Sequence, residues 1–275
     1  MSSKACHRDT TFRAVREGPM PATPVTTARD GVGVLLLHGF TSSLATVDRL
    51  VSPLEERSIP YALPTLRGHG TRAEDLRGVT WHHWYEDGER ALDALLDRCA
   101  RVVVMGLSMG GLVALHLAAL RPERLAGVAL IAPALRLNIA GAALIPLLAR
   151  TGRHAGVDPL RAFEDRSLAA DSTNYADAPI AAVHSLIQFG RVMERELPRV
   201  RVPLLTIYPP RDRVVRPESA RIIHERSGTP AAQKRLLAFE RSGHEMLQDR
   251  QRDEVIAAIM AFIAERSEAG TATTA

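Results

Sequence analysis

The chain has 275 residues, of which 46% are hydrophobic and 24% charged, and its 35 basic and 31 acidic residues give a net charge of +4. These proportions are ordinary for a globular protein, and the length suits one large domain or two small ones. They exclude a wholly disordered chain and a collagen-like repeat, and two cysteines are too few for a disulfide scaffold.

Residues 1–29 form a basic N-terminal extension, predicted to be partly flexible. Its five basic side chains outnumber Asp9 and Glu17, so it carries +3 of the net +4. In the rest of the chain, arginines are scattered among acids without the basic runs and interleaved aromatics of nucleic-acid-binding surfaces. No apolar segment near the N-terminus precedes a small-residue cleavage site. We therefore expect a cytoplasmic protein with no nucleic-acid partner and at most peripheral contact with a membrane.

Strand-like and helix-like segments alternate from residue 30 to residue 135. Continuous apolar runs are typical of strands buried on both faces of a parallel sheet, and apolar residues three and four apart predict helices. The predicted strands are Val32–His38, Tyr61–Leu66, Val102–Met105 and Gly127–Ala132. The first predicted helix is Val47–Glu56, and the third is a buried helix from Met109 to Leu120. Between them, a second helix has Trp84, Gly88, Leu92 and Leu95 on one face.

The alternation stops after Ala134 and resumes at about residue 200. Residues 136–199, called the cap segment below, show mixed helical patterns without a convincing buried strand. Beyond them the sequence predicts the strands Pro203–Tyr208 and Lys234–Phe239, the helix Pro217–Arg226, and a final helix with Ile256, Ile259, Met260 and Ile263 on one face. Residues 267–275 are small and polar and are predicted to be a flexible tail.

The strand–helix alternation predicts an α/β fold with a mostly parallel central sheet and helices on both faces. Residues 30–135 and 200–266 would form this core, and the cap segment would be a small helical cap inserted after the fourth strand. Its apolar edges would face the sheet domain, so we expect a lid instead of an independent domain.

A candidate nucleophile lies in Gly106–Gly110, between the third strand and the following helix. The pattern Gly-x-Ser-x-Gly at a strand-to-helix turn places Ser108 in a strained conformation with its hydroxyl exposed. Glycine is required at both flanking positions because a Cβ there would clash in so tight a turn. The helix also directs its N-terminal amides toward developing negative charge. The alternative is a glycine-rich turn in which the serine only caps the helix.

A serine hydroxyl requires a base that is held in place by an acid. On this kind of scaffold, the chain order is serine, acid, histidine, and only His224 and His244 lie beyond the cap segment. His224 falls inside a predicted helix, where an exposed side chain is the simplest interpretation. His244 follows a strand at the carboxyl edge of the sheet, where ligands and chemistry gather. His244 is therefore the predicted base.

The acid is expected at the end of the preceding strand. Asp212 follows the strand Pro203–Tyr208 and precedes His244 by 32 residues, enough for one helix, one strand and their turns. The alternative role of this residue is to stabilise a turn or cap a helix. Asp249 and Asp253 are expected on the final helix in contact with solvent. Asp212 is therefore the predicted acid.

Two backbone amides are candidates for an oxyanion hole. Phe40 follows the first strand in His38–Phe40, and Met109 directly follows the serine, at the same edge of the sheet. His38 itself is expected to have a structural role, because it ends a buried strand. The loop Arg67–Gly70 borders the same edge, and a supporting role is expected for it.

Other histidines are not expected to take part in the chemistry. His116 lies on the buried helix and is predicted to be a hydrogen-bonded core residue. His82 and His83 are adjacent, so they do not face each other on a helix, and no cysteine or carboxylate set completes a metal site. We therefore expect no metal and no cofactor.

Apolar side chains of the cap segment are candidates for substrate binding. Such residues either line an acyl pocket or merely bury against the core, and the sequence leaves both roles open. The candidates for the acyl pocket are Phe40, Met109, Leu144, Ile145, Leu147 and Leu148.

The motifs together resemble a known superfamily. They are Leu35–Thr41 (LLLHGFT), Arg67–Gly70 (RGHG), Gly106–Gly111 (GLSMGG), Asp212 and Ser242–His244 (SGH). Over about residues 30–265 the chain resembles the α/β-hydrolases, and within them it is most similar to small bacterial carboxylesterases and monoacylglycerol lipases. The resemblance implies an α/β-hydrolase fold with a cap at this insertion point.

By this resemblance, Ser108 would be the nucleophile, Asp212 the acid and His244 the base, with Phe40 and Met109 as oxyanion donors. The expected reaction is hydrolysis of acyl esters, including monoacylglycerols, through an acyl-enzyme. A thioesterase, an acyltransferase or a cofactor-free peroxidase would use the same triad. A ligand receptor on the same scaffold is a further alternative, against which the intact catalytic set argues. Acyl chain length, alcohol group and oligomeric state stay open.

Overall fold

The computed structural model describes residues 31–271, and the basic extension predicted for residues 1–29 lies outside this range. Within the described residues, six strands form the central sheet and two short strands pair with each other in the cap segment. In chain order the strands are β1 (Val32–Leu37), β2 (Tyr61–Ala62), β3 (Arg101–Leu107), β4 (Leu125–Ile131), β5 (His154–Gly156), β6 (Asp177–Pro179), β7 (Leu204–Tyr208) and β8 (Lys234–Ala238).

The spatial order of the central sheet is β2-β1-β3-β4-β7-β8, and every neighbouring pair is parallel. All residues of β1 and β4 are buried, as the continuous apolar runs predict. The strand predicted over 61–66 is shorter, because only Tyr61 and Ala62 pair with β1 at the edge of the sheet. The predicted parallel α/β sheet is confirmed.

Helices cover both faces of the sheet. They are α1 (Val51–Glu56), α2 (Trp81–Leu96), α3 (Met109–Leu120), α4 (Ile145–Leu148), α5 (Ile180–Glu196), α6 (Glu218–Arg226) and α7 (Arg252–Thr271). Because side chains alternate along a strand, Leu35 and Leu37 pack in a cluster with residues of α2, α3 and α5. Leu36 packs in the opposite cluster with residues of α1 and α7. The sheet is therefore buried between two helical layers, in agreement with the predicted fold class.

The cap segment is not wholly helical. Besides α4 and α5 it contains β5 and β6, which pair in antiparallel register and were not expected from the sequence. Each of these strands has only three residues and is partly exposed, so neither forms the apolar run that identifies a buried strand. The long helix α5 buries Leu186, Phe189 and Met193 in the cluster that contains α3, which attaches the cap segment to the core.

The final helix is longer than the sequence predicts. It begins at Arg252 and continues to Thr271, so residues 267–271 are helical instead of forming the first part of a flexible tail, and residues 272–275 lie outside the described range. These five residues, Ser-Glu-Ala-Gly-Thr, have no apolar spacing, but extending an existing helix adds one hydrogen bond per residue without the cost of a new nucleus. Between residues 31 and 271, no helix combines the length and apolar character needed to cross a membrane.

Candidate active site

Ser108 lies at the turn between β3 and α3, as predicted. Its backbone has φ 54° and ψ −112°, a conformation that costs energy for a residue with a side chain. The turn is held on both sides, because Ser108 N donates to Ile131 O at 2.8 Å and Ser108 O accepts from Gly111 N and Ala134 N at 3.0 and 3.1 Å. These contacts maintain the strained backbone that a nucleophile elbow requires.

The two glycines of the motif are there for steric reasons. A Cβ on Gly106 would lie 2.2 Å from Gly110 O, and one on Gly110 would lie 2.3 Å from Leu37 O. A Cβ on Gly39 would lie 3.4 Å from the Ser108 Cβ, an ordinary contact distance. The end of β1 therefore passes directly beside the turn that carries Ser108, and it is the close approach of Leu37 O that leaves no space for a Cβ on Gly110.

Replacing Gly110 by alanine is expected to lower the free energy of unfolding by about 3 kcal/mol, the upper range for overpacking against a fixed neighbour. The neighbour is a backbone carbonyl, which cannot rotate away. Gly31→Ala is the matched control, because a Cβ there meets nothing within 4 Å. Urea unfolding of both variants measures the difference, and an equal effect of the two substitutions would contradict this steric account.

The predicted acid and base are in contact. His244 Nδ1 lies 2.8 Å from Asp212 Oδ2, and both side chains are buried. The other carboxylate oxygen, Asp212 Oδ1, accepts from the backbone N–H groups of Val214 and Val215 at 2.7 and 2.9 Å. The carboxylate is thereby held in one orientation, with Oδ2 directed at the imidazole. The aspartate therefore also stabilises its turn, which was the alternative role considered for it.

The loop that carries His244 is held by Asp249, a contact that sequence reasoning missed. Asp249 was expected in solvent on the final helix, but it precedes α7 and is buried. Its Oδ2 accepts from Gly243 N at 2.7 Å and from Glu164 N at 2.6 Å, and its Oδ1 accepts from Asp165 N at 3.3 Å. This carboxylate therefore joins the His244 loop to the cap segment. Asp253 is on α7 and exposed, as expected.

The environment of His244 favours its protonated form. Burial by itself lowers the pKa of the imidazole, but the charge of Asp212, the hydrogen bond to it and the charge of Glu245 outweigh burial. The net effect raises the pKa of His244 above its usual value near 6.5. The raised pKa makes the imidazole a stronger base, as a group that accepts a proton and later returns it requires.

If His244 is the base, as the sequence predicts, activity is expected to rise with pH through a midpoint above 6.5, because only a neutral imidazole can accept a proton from Ser108. The acidic limb of a kcat/KM profile measures this midpoint. The profile is recorded with two substrates of different reactivity, so that a change in the rate-limiting step is recognised. A midpoint well below 6.5 with both substrates would contradict the effect of the Asp212 and Glu245 charges on His244.

The predicted oxyanion donors lie at the same edge. Met109 is the first residue of α3, so its N–H has no acceptor within the helix, and its side chain is buried in the core. Phe40 follows Gly39, which passes beside Ser108. The turn after Phe40 is strained at Thr41, with φ 61°, and Ser42 Oγ donates to Gly39 O at 2.8 Å. Thr41 and Ser42 were not singled out from the sequence.

Buried histidines support the Phe40 turn. His38 Nδ1 donates to Gly39 O at 2.9 Å and its Nε2 accepts from Leu66 N at 3.0 Å. Burial lowers the pKa of His38 to about 4 despite the opposing Gly39 bond, so the ring is neutral at pH 7. The ring of His69 packs edge-on against Phe40 at 5.8 Å. The structural role predicted for His38 is confirmed, and the loop Arg67–Gly70 contacts Phe40 through the ring of His69.

His83, His116 and His224 lie outside the site. His116 is buried on α3 and its Nδ1 lies 2.7 Å from Glu196 Oε2, which confirms the predicted core role. His224 is on α6 and does not reach the cavity described below. His83 Nδ1 accepts from Thr80 N at 3.0 Å at the start of α2. Among residues 31–271, no group of three or more His, Cys, Asp or Glu side chains is arranged to hold a metal ion.

A cavity of about 580 Å³ connects the predicted site residues with the cap segment. Ser108, His244 and Phe40 line it on the side of the sheet. Within residues 31–271, no hydrogen bond joins the Ser108 hydroxyl to His244. Hydrogen bonds between catalytic groups are often long in the absence of substrate and shorten in the complex. The shared cavity places both groups where one substrate can contact them.

The wall formed by the cap segment is mainly apolar. Leu144, Ile145 and Leu148 line the cavity, as expected for an acyl pocket. Two candidates for the pocket are wrong because they do not line the cavity, namely Leu147, which is 68% exposed, and Met109, whose side chain is buried in the core. Two polar residues of the wall, Asn174 and Glu245, were not singled out from the sequence. The sequence signal for Glu245 is its position directly after His244.

Comparisons with known proteins show the family of the chain. The family model described as serine aminopeptidase, S33, matches residues 30–251. The thermostable monoacylglycerol lipase of Bacillus sp. (strain H-257) is 30% identical over 256 residues, which cover 90% of this chain and 96% of the relative. A carboxylesterase of Bacillus subtilis (strain 168) is 25% identical over 236 residues, covering 84% and 91%.

A solved structure has the same fold. It comes from work on LipS and LipT, two metagenome-derived lipolytic enzymes, and superimposes with a TM-score of 0.79 at 30% sequence identity, covering 86% of this chain and 94% of that one. The matches extend over nearly the whole described chain and include the sheet and the cap segment. The chain therefore belongs to the α/β-hydrolase family described as serine aminopeptidase, S33, and is a carboxylic ester hydrolase of the esterase and monoacylglycerol lipase type.

Proposed function

We propose that this enzyme hydrolyses acyl esters, including monoacylglycerols, through an acyl-enzyme formed on Ser108, with His244 as base and Asp212 as acid. The observation that carries the proposal is the buried 2.8 Å contact between His244 Nδ1 and Asp212 Oδ2, beside a cavity that Ser108 also lines. The carboxylate orients the ring so that Nε2 is free of the proton and can act on the serine.

In the acylation step, Ser108 Oγ attacks the ester carbonyl carbon as His244 Nε2 takes the hydroxyl proton. The carbonyl oxygen becomes an oxyanion, which the backbone N–H groups of Phe40 and Met109 would stabilise; one such donor is typically worth about 10²–10³ in rate. The bond to the alcohol oxygen then breaks, and His244 returns its proton to that oxygen. The alcohol leaves and the acyl group stays on Ser108.

In the deacylation step, water takes the place of the alcohol. His244 Nε2 accepts a proton from this water as its oxygen attacks the acyl carbonyl carbon, and the same two amides hold the second oxyanion. Collapse of this intermediate breaks the bond to Ser108 Oγ, which recovers its proton from His244. The products are a free acid and the resting enzyme, so the cycle requires no cofactor.

The size and apolar wall of the cavity are suited to a substrate with a long acyl group. Its volume of about 580 Å³ lies within the usual range for small-molecule sites, about 300–1,000 Å³. Leu144, Ile145 and Leu148 line it, and each buried methylene of a substrate contributes about 0.8 kcal/mol. Chain-length selectivity should therefore change gradually instead of stopping at one length. The similarity to a monoacylglycerol lipase supports the same substrate class.

Two measurements test the proposed function. A fluorophosphonate probe should label one serine, identified as Ser108 by peptide mass spectrometry. Rates on p-nitrophenyl esters from acetyl to dodecanoyl, measured alongside the matching 1-monoacylglycerols, should show steady turnover that extends to the longer chains. Labelling elsewhere contradicts the assignment of Ser108. Turnover limited to acetyl and butyryl esters contradicts the monoacylglycerol proposal, and one slow turnover with tight product retention would indicate a receptor.

A further inference from the structure

A second cavity, of about 250 Å³, adjoins the active-site cavity. Leu137 and Ile139 line both cavities, whereas Ser108 and His244 line only the larger one. We call the second cavity the arginine cleft. It lies between α5 and the chain segments that follow β4 and β7, and no step of the proposed mechanism uses it. Its charged lining residues are Arg136, Arg191, Glu194 and Arg216, and its larger apolar ones are Leu135, Leu137, Ile139 and Ile187.

Backbone contacts hold the walls of the arginine cleft in place. Arg216 N donates to Arg136 O at 2.9 Å, which joins the segment after β7 to the segment after β4. The helix α5 approaches closely at Gly190, where a Cβ would lie 2.4 Å from Leu135 O. The cleft is therefore formed before a ligand enters it, and a preformed site lowers the entropic cost of binding.

The positive charge of the cleft is only partly neutralised. The carboxylate of Glu194 accepts from the Arg136 guanidinium at 3.1 and 2.6 Å, and the charge of Glu218 also acts on Arg136. Within residues 31–271, the side chains of Arg191 and Arg216 have no hydrogen bond or ion pair. Both line the same small cleft, so a ligand that fills it contacts two guanidinium groups with unused donors. Such groups are suited to an anion.

The size and the apolar walls of the cleft decide the kind of anion. A volume of about 250 Å³ lies just below the usual range for small-molecule sites, about 300–1,000 Å³. Protein interfaces bury about 800 Å² on each partner, so the cleft is too small to receive a macromolecule. An inorganic anion would leave Leu137, Ile139 and Ile187 facing water. The lining therefore fits a small amphiphile that has one anionic group and a short or medium apolar chain.

The established activity itself supplies an anion of this class. Hydrolysis of a carboxylic ester releases a carboxylic acid, which is ionised at neutral pH because its pKa is near 4. The acid is released in a cavity whose wall at Leu137 and Ile139 also belongs to the arginine cleft. A carboxylate accepts two parallel hydrogen bonds from a guanidinium group, and its chain can cover the apolar wall.

We propose that the arginine cleft is a second binding site, which takes up a short- or medium-chain carboxylic acid with its carboxylate at Arg191 and Arg216 and its chain against Leu137, Ile139 and Ile187. This inference goes beyond the proposed function. It uses only the release of a carboxylic acid and does not depend on how Ser108, His244 and Asp212 divide the chemistry.

The first test blocks the active site and titrates the arginine cleft. The enzyme is labelled with an octyl fluorophosphonate, whose chain occupies the active-site cavity, and is then titrated calorimetrically with octanoate. We expect one binding site. Butyrate should bind at least about tenfold more weakly, because each methylene buried contributes about fourfold. Absence of octanoate binding to the labelled enzyme would overturn the proposal, and so would equal binding of butyrate, which would indicate a site for the ion alone.

Two further ligands test the head group. 1-Octanol has a similar chain without the charge and should bind at least about fivefold more weakly than octanoate, as for the loss of one exposed ion pair. Equal binding of 1-octanol would overturn the role of the arginines. Octyl phosphate carries the same chain on a different anion. Its binding more than tenfold tighter than octanoate would overturn the choice of a carboxylic acid and would indicate a phosphate head group.

The second test changes the two arginines. Arg191→Gln and Arg216→Gln should each lower the affinity for octanoate about fivefold, the upper range for an exposed ion pair, and the double variant about 25-fold if the two contributions are independent. Both side chains are exposed, so the fold should be retained, and the thermal unfolding midpoint measures this. An unchanged affinity in the folded double variant would overturn the proposal.

Arg195→Gln is the matched control. Arg195 is also exposed on α5 and does not line the cleft, so its replacement removes the same charge from the same helix. The affinity for octanoate should stay within about twofold of the unmodified value, because charges at a distance in solvent are screened by salt. An equal fall in Arg195→Gln and Arg191→Gln would show attraction to the net charge alone and would overturn the site.

Failure of this proposal can be distinguished from failure of the proposed function. If the fluorophosphonate does not label Ser108, the proposed function is wrong, and the arginine variants of the unlabelled enzyme still decide whether octanoate binds in the cleft. If Ser108 is labelled and esters are turned over, but octanoate does not bind to the labelled enzyme, only the arginine cleft is wrong.

Discussion

Replacing Ser108 by alanine is expected to lower kcat for ester hydrolysis by at least about 10⁴-fold, because the acyl-enzyme cannot form without the hydroxyl. Loss of a catalytic serine costs about 10⁶ in a well-studied protease, and the oxyanion hole and substrate binding leave a residual 10³–10⁴ over water. Alanine has the same Cβ as serine, so the strained turn at φ 54° changes little and the fold should be retained.

The control for this variant is Ser52→Ala, at an exposed position of α1. Its kcat and its thermal unfolding midpoint should match those of the unmodified enzyme. The Ser108 variant should unfold at nearly the same temperature while losing activity and fluorophosphonate labelling. Retention of more than a hundredth of the activity by a folded Ser108→Ala enzyme would refute the acyl-enzyme mechanism proposed above.

Replacing Asp212 by asparagine is expected to lower kcat about 10⁴-fold, as for the equivalent change in a serine protease triad. The structure supplies a specific reason. The N–H groups of Val214 and Val215 both donate to one oxygen of this side chain, so in the variant they select the amide oxygen. The amide NH₂ group then faces His244 Nδ1, which must become an acceptor. The ring proton moves to Nε2, and His244 can no longer accept a proton from Ser108.

The pH profile provides an independent measurement for this variant. The charge of Asp212 helps to raise the pKa of His244, so its removal should shift the acidic limb of kcat/KM to lower pH as well as lowering the plateau. Asp253→Asn, at an exposed position of α7, is the control and should change neither. An unshifted limb in Asp212→Asn would show that another group titrates there.

The central strands of the sheet could be predicted from the sequence, because a strand that is buried on both faces consists of a continuous run of apolar residues. The apolar runs beginning at Val32, Val102 and Gly127 each correspond to a strand of the central sheet, within two residues at either end. Ser108 could also be found from a local pattern. The turn that carries it has no space for a Cβ at positions 106 and 110, so glycine is required two residues before and two residues after the serine.

The cap segment could not be predicted as well, because its elements are short and their contacts are distant in sequence. β5 and β6 pair through His154–Gly156 and Asp177–Pro179, which are more than twenty residues apart. Three residues are too few for a period-2 pattern. The end of α7 was missed for a different reason, since residues 267–271 have no apolar spacing and are helical because they continue an existing helix.

By itself, the sequence determined the parallel α/β core, the membership of an esterase-like superfamily and the candidate residues Ser108, Asp212 and His244. Tertiary structure alone decided how these are supported, since the burial of Asp249 and the pairing of Glu245 with Asn174 depend on contacts with the distant cap segment. A local motif specifies backbone geometry within a few residues, whereas the protonation and hydrogen bonding of a carboxyl depend on whatever the fold places against it. The candidate chemistry is therefore visible in the motifs, and the contacts that hold its side chains in place are visible only in the assembled structure.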